Sequence, residues 1–94
     1  MKIIVHPRVH ERHPDITDED VYSAWIGCIK LYRRPDTHNL LGAGYDLSGR
    51  LLEFTARPAD DGIDWLVYHA MRCTKKTMRE LGIIPPHHTP RRTS

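Results

Sequence analysis

A chain of 94 residues is long enough for one domain with a small hydrophobic core and too short for several domains. Its formal net charge of +2 does not by itself indicate nucleic-acid binding, so the positions of the charges matter more than their sum. The two cysteines, Cys28 and Cys73, form neither a CxxC motif nor a disulfide framework, and no apolar run approaches the ~20 residues of a membrane span. We therefore expect a reduced, soluble, cytoplasmic domain.

The N-terminal part of the chain predicts a strand followed by a helical turn. Residues 2–5 can form a first strand, which His6-Pro7 ends because proline restrains the residue before it and favours the start of a helix. A short helical turn is expected over residues 7–13, and Pro14 stops it.

A longer helix is expected next. Thr17 is suited to cap its first turn, and the three acidic residues that follow are favourable at the positive end of the helix dipole. Apolar side chains then recur at helical spacing and predict an amphipathic helix over residues 18–31. They are Val21, Ala24, Trp25, Cys28, Ile29 and Tyr32. Residues 33–39 contain a proline and lack apolar periodicity, which indicates a loop.

The C-terminal half predicts three strands and a short helix. Residues 40–47 form the first of these strands, in which Gly42 and Gly44 mark either a bulge or a close backbone approach. Residues 50–57 and 64–72 alternate in polarity on either side of a turn loop, the pattern of a β-hairpin. The second strand of this hairpin leads into a helix over residues 73–80.

These elements predict an α+β domain over residues 1–83, built on a small antiparallel sheet of three to four strands. Its two N-terminal helices should pack on one face of the sheet, followed by the short C-terminal helix. Residues 84–94 are rich in proline and polar side chains and predict a flexible tail.

Four cations cluster around the last helix. Arg72, Lys75, Lys76 and Arg79 stand at spacings of three and four, which predicts one cationic helical face able to contact RNA phosphates. The alternative is a solvated surface, since cations near a helix C-terminus suit its dipole.

Two residues of the hairpin have the chemistry of proton transfer. Glu53 alternates with apolar neighbours and should therefore face away from the core that they form. His69 can act as an acid or a base near neutral pH. Under strict alternation it shares a face with Trp65 and Val67, so a packed strand histidine is the alternative.

Three histidines near the N-terminus, His6, His10 and His13, raise the possibility of a zinc site because residues four apart share a helix face. Neither cysteine lies near them in the sequence, and no compact ligand set completes such a site. We therefore predict no metal.

Three short segments resemble the motifs of one protein family. They are Arg12-His13-Pro14 before the capped helix, Gly49-Arg50-Leu51-Leu52 in the hairpin, and Ala70-Met71-Arg72-Cys73-Thr74-Lys75 at the start of the last helix. In this order they resemble the BrnT family of bacterial toxins, part of the wider RelE/ParE-like group, over about residues 5–82. One position departs from the family pattern, because methionine stands at Met71 where arginine is usual.

The resemblance implies the toxin of a type II toxin–antitoxin system, an endoribonuclease that needs no cofactor and inhibits translation. Its partner would be a cognate antitoxin from an adjacent gene, often of the ribbon-helix-helix type, and it would reach DNA only through that complex. The expected catalytic residues are His69, Glu53, Arg50 and His13, with RNA bound by Arg72, Lys75, Lys76 and Arg79. The alternative, which Met71 favours, is a non-catalytic binding module of the same fold, either a regulatory partner or a gyrase-directed toxin.

Overall fold

The computed structural model describes residues 1–83, and the predicted tail of residues 84–94 lies outside them. Within the described part the chain forms five strands and three helices. In chain order these are β1 Ile3–Val5, α1 Arg8–Arg12, α2 Asp18–Ile26, β2 Cys28–Arg33, β3 Leu40–Tyr45, β4 Leu51–Pro58, β5 Trp65–Arg72 and α3 Lys75–Leu81. None of the helices in residues 1–83 is long and apolar enough to cross a membrane.

All five strands belong to one mixed sheet in the order β1-β5-β4-β3-β2. The strands from β2 to β5 pair antiparallel, whereas β1 lies parallel to β5. The α+β class is confirmed, but the predicted sheet of three to four antiparallel strands is incomplete. A parallel pair needs a long connection, and the many residues between β1 and β5 provide one.

The predicted helix over residues 18–31 is wrong in its second half. α2 ends at Ile26, and the N–H of Gly27 closes its last turn by donating to the carbonyl oxygen of Ser23 at 2.8 Å. The chain then enters β2, where Ile29 is exposed instead of lying in a buried helical stripe. A short apolar run fits either a helix or a strand by periodicity, and pairing with the edge of β3 decides for the strand.

The first half of the same prediction is confirmed. The Thr17 hydroxyl accepts from the N–H of Asp20 at 3.1 Å, and the Asp20 carboxylate accepts from the N–H of Thr17 at 3.0 Å. This capping box satisfies two free amides at the start of α2. Behind it, Val21 and Ala24 are fully buried.

Gly44 allows α2 to pack directly on the sheet. A Cβ atom at this position would lie only 2.0 Å from the carbonyl oxygen of Ala24. At Gly42 a Cβ atom would lie 2.4 Å from the ring of Phe54. The predicted close approach is therefore found at both glycines, and a register shift between Cys28 and Lys30 of β2 lies opposite Gly44 as well.

Alternation along β4 separates two packed faces of the sheet. Leu52 and Phe54 join the larger core cluster, to which α1 contributes Val9 and α2 contributes Val21 and Ala24; we call this side the α2 face. Leu81 of α3 packs with Leu41 and Ala43 of β3 in a second cluster on the opposite side, the α3 face. The two N-terminal helices thus share one core, as predicted, and α3 covers the other side.

Candidate active site

A bulge in β5 decides which way His69 faces. Thr55 pairs with His69, but the next residue of β4, Ala56, pairs with Val67, so Tyr68 is an extra residue in β5. The extra residue interrupts the alternation, and His69 lies on the α3 face whereas Val67 lies on the α2 face. The predicted sharing of one face by these two residues is wrong for this reason.

Glu53 also lies on the α3 face, as its alternation predicts, and it is only 6% exposed. Its Oε1 atom accepts from both the backbone N–H and the hydroxyl of Thr74, each at 2.8 Å. Its Oε2 atom is 2.9 Å from Nε2 of His69. The Thr74 hydroxyl in turn caps α3 by accepting from the N–H of Thr77. One carboxylate therefore joins β4, β5 and the first turn of α3.

These hydrogen bonds fix the charge of Glu53. Burial would raise the pKa of this carboxyl, but the hydrogen bonds from His69 and Thr74 outweigh it, and the pKa falls from 4.5 to about 2. A carboxylate with this pKa is ionised at neutral pH and can only accept, so the proton between the two side chains sits on Nε2 of His69. Within residues 1–83 nothing forms a hydrogen bond with Nδ1 of His69, which leaves that nitrogen available to a ligand.

His69 and Glu53 open onto a cleft of about 340 Å³ between the sheet, α1 and α3. His13, just after α1, lines the same cleft, and its ring lies edge-on to that of His69 with 6.4 Å between the centroids. The two imidazoles are close enough for both to contact one phosphate group. The structure thus brings three of the four predicted catalytic residues together.

The cleft also carries positive charge from two helices, α1 and α3. Arg8, Arg12 and Lys76 line it, and none of them forms an ion pair with another described residue. Arg34 lines it as well, but its guanidinium is bound by Glu80, with Nε 3.1 Å from Oε2. Because Glu53 and Glu80 both have partners, the unpaired cations give the cleft an excess of positive charge, which suits a phosphodiester.

Arg50, the fourth predicted catalytic residue, does not line this cleft. Its guanidinium forms ion pairs with Asp46 in the turn between β3 and β4, with Asp15 at 2.9 Å and with Asp20 at 3.4 Å. These three carboxylates occupy the arginine and tie the turn to the start of α2. Because its guanidinium is held by three carboxylates, Arg50 has a structural role here.

The predicted cationic helical face is divided by the fold. Arg72 is the last residue of β5, not a helical residue, and it pairs with Leu52, whose side chain lies on the α2 face. Lys75, Lys76 and Arg79 do lie on α3 and are exposed, but of these only Lys76 lines the cleft. The prediction of one shared face is wrong because the strand continues through Arg72.

Met71 pairs directly with Glu53 in the sheet register. An arginine there, as in the BrnT pattern, would place a cation on the strand beside the carboxylate. In this chain the cations of the cleft come from α1 and α3 instead, through Arg8, Arg12 and Lys76. The sequence contained a signal for the two arginines, since residues 8 and 12 are four apart and share a helix face.

The N-terminal histidines and Cys73 are the other residues of the sequence with chemistry of their own. Two of the three N-terminal histidines have their own hydrogen-bond partners: Nδ1 of His6 accepts from the N–H of Arg8, and the His10 ring bonds to Asp18 and to the carbonyl oxygen of Ile16. Among residues 1–83 no three side chains of metal-binding type gather at one point. Burial, together with the charge of nearby Glu53, raises the pKa of the Cys73 thiol to about 11, so this thiol is protonated at neutral pH and is a poor nucleophile.

No family model, curated protein or solved structure matches the chain. The resemblance to BrnT toxins therefore rests on the three motifs alone. The first and the last motif line the cleft, through His13 and Thr74 respectively. The middle motif begins in the turn between β3 and β4 and contains Arg50, which pairs with Asp46.

Proposed function

We propose that this chain is a metal-independent endoribonuclease, the toxin of a BrnT-like toxin–antitoxin pair. One observation carries the proposal: an ionised glutamate holds one nitrogen of His69, while the other nitrogen is available in a cationic cleft that also contains His13. A fixed base, a second imidazole and nearby cations are the groups that phosphodiester cleavage by the RNA's own 2′-hydroxyl requires.

His69 acts as the general base in this mechanism. Its Nδ1 takes the proton of the 2′-hydroxyl, and the 2′-oxygen then forms a bond to phosphorus. The Glu53 carboxylate stabilises the imidazolium that results, because it accepts the hydrogen bond from Nε2. Thr74 is a positioning residue, since its two hydrogen bonds hold that carboxylate in place.

His13 acts as the general acid. As the bond from phosphorus to the 5′-oxygen breaks, protonated His13 donates a proton to the leaving oxygen. The products are a 2′,3′-cyclic phosphate and a free 5′-hydroxyl, and no metal enters the reaction. Arg8, Arg12 and Lys76 stabilise the negative charge that builds on the phosphorane oxygens.

The partner of this toxin is a cognate antitoxin from an adjacent gene, of the ribbon-helix-helix type in many such pairs. This part of the proposal rests on the resemblance to BrnT toxins. When the toxin is free, RNA enters its cleft, including RNA on the ribosome. DNA is bound only by the complex with the antitoxin.

A second candidate, a non-catalytic binding module, has an observation in its favour. The bonds of Glu53 to His69 and Thr74 also fasten two strands to α3, so they would have a purpose without any chemistry. Met71, where the family pattern has arginine, favours the same candidate. In that case the cleft would hold its ligand without cleaving it, in a regulatory complex or in a gyrase-directed toxin.

Incubating the purified chain with single-stranded RNA in EDTA separates these candidates. We expect cleavage with 2′,3′-cyclic ends, and a loss of about 10²–10⁴-fold in rate in His69→Asn. His38→Asn is the matched control, because His38 is an exposed loop histidine with φ of 62°, a conformation that asparagine tolerates. Absence of cleavage by the parent chain, or parental rates in His69→Asn, contradicts the ribonuclease and favours the binding module.

A further inference from the structure

Tyr68, the extra residue of the β5 bulge, stands between two cavities. It lines the catalytic cleft described above, and it also lines a second cavity of about 200 Å³. Arg8 is the other residue that lines both. A chain-like ligand bound in the cleft can therefore continue into the second cavity past these two side chains.

The second cavity has the parts of a nucleotide site. Its walls include the half-buried ring of Tyr68, the side chain of Leu66, and the guanidinium of Arg57, which forms no ion pair with another described residue. An aromatic ring beside an unpaired guanidinium provides both a stacking surface for a base and a charge for its phosphate.

Asn39 adds a polar group suited to the edge of a base. Its Nδ2 donates to the Tyr68 hydroxyl at 3.0 Å, which fixes the orientation of both side chains. Within residues 1–83 no donor reaches its Oδ1 atom, so this oxygen remains an acceptor for a ligand. Splayed, unstacked bases are bound in RNA by this combination of aromatic stacking and hydrogen bonds to the base edge.

We infer that this second cavity binds an unpaired RNA base next to the scissile phosphate, stacked on Tyr68 and with its phosphate near Arg57. The inference rests on the proposed ribonuclease for naming RNA as the ligand. It deepens that proposal by making single-stranded RNA the substrate class, because a base held in a duplex cannot enter the cavity.

Binding of a fluorescent, single-stranded oligonucleotide with a 2′-O-methyl group on every ribose tests the site without any cleavage. Tyr68→Ala should weaken binding about tenfold. Removing the base at one position of the probe should cost the parent a similar factor and cost Tyr68→Ala nothing further. Tyr45→Ala is the matched control, because Tyr45 is an exposed strand tyrosine that lines neither cavity.

Arg57→Gln is the second variant, at an exposed residue whose replacement leaves the core intact. It should reduce the slope of log K against log salt by about 0.7, the value for one phosphate contact with a single strand. Parental affinity of folded Tyr68→Ala, or of Arg57→Gln if Tyr68→Ala does not fold, overturns the site. The two proposals fail in different ways. If Tyr68→Ala weakens probe binding but the parent chain cleaves no RNA, only the ribonuclease is rejected. If the parent chain cleaves RNA but Tyr68→Ala binds the probe with parental affinity, only this site is rejected.

Discussion

Two buried carboxylates of this domain, Asp46 and Glu53, have similar hydrogen bonds and different surroundings. Asp46 accepts from the N–H of Ser48 and from the N–H of Arg50, each at 2.8 Å, and also from the Arg50 side chain. Glu53 accepts from Thr74 twice and from His69 once. In both cases burial alone would raise the pKa, and the donated hydrogen bonds lower it instead.

The two carboxylates differ in whether the side chain that each one binds has a further partner within the protein. The Arg50 guanidinium is shared among Asp46, Asp15 and Asp20, so the network around Asp46 is closed. His69 is bound on one nitrogen only, and the other is available in a cleft of about 340 Å³. A closed network stabilises the fold, whereas an open one keeps a group available for chemistry. The bonds of the carboxylate alone do not distinguish the two cases.

The largest expected effect comes from Glu53→Gln. The new amide oxygen can still accept from Thr74, but the amide nitrogen then faces His69 and donates to Nε2. The histidine is forced into the tautomer with its proton on Nδ1, which can no longer take the proton of the 2′-hydroxyl. We expect kcat/KM to fall by about 10²–10⁴-fold and the tautomer change to be visible in the ¹⁵N NMR shifts of His69.

Asp46→Asn is the control for that experiment, since it makes the same chemical change in the closed network. Its cleavage rate per folded molecule should equal that of the parent chain. Equal losses of activity in both variants would mean that the comparison between open and closed networks is mistaken.

The closed network should be more important to stability. Asp46→Ala leaves the guanidinium of Arg50 and two backbone N–H groups without their main acceptor. Removing one member of such a network costs about 2–4 kcal/mol in the free energy of unfolding. Urea denaturation measures this loss, and the folded fraction should still cleave RNA. A folded Asp46→Ala protein without activity would place Asp46 in the catalytic machinery, contrary to our assignment.

Acid should weaken the contribution of Glu53 to stability. The carboxyl has a pKa of about 2 in the folded chain and an ordinary value of 4.5, so the unfolded chain takes up the proton first as the pH falls. Its contribution is fully present above pH 4.5 and is lost as the pH falls toward 2. The difference in free energy of unfolding between the parent and Glu53→Gln should therefore shrink as the pH falls from 4.5 toward 2. A difference that does not change over this range contradicts the lowered pKa.

The elements that could be predicted from sequence are those with strong local signals. The capping box at Thr17, the turn loop of the hairpin and the side on which Glu53 lies all follow from a few adjacent residues. β2 could not be predicted in the same way, because the run after Gly27 is compatible with either a helix or a strand. Only its pairing with β3, a contact between distant residues, decides its conformation.

The candidate site has the same limit. Strict alternation assigns His69 to the wrong face, since the bulge at Tyr68 arises from the register of β5 against β4 and leaves no local sequence signal. The motif around Arg50 predicts a catalytic residue. The fold gives it the partners Asp15 and Asp20, which are 35 and 30 residues away in the sequence and so leave no signal near the motif. The positions of Arg8 and Arg12 in the cleft depend on the packing of α1 against β5.

The smallest expected effect divides the cations of α3. Lys76 lines the cleft whereas Lys75, its neighbour, does not, although both are exposed. Lys76→Gln should weaken binding of single-stranded RNA and reduce the slope of log K against log salt by about 0.7, the value for one phosphate contact. Lys75→Gln and Arg79→Gln should leave this slope unchanged, because surface cations outside the path of the RNA release no counterions on binding. Equal reductions in all three variants would mean that the RNA lies along the whole outer side of α3, and the cleft would then not be where its backbone is held.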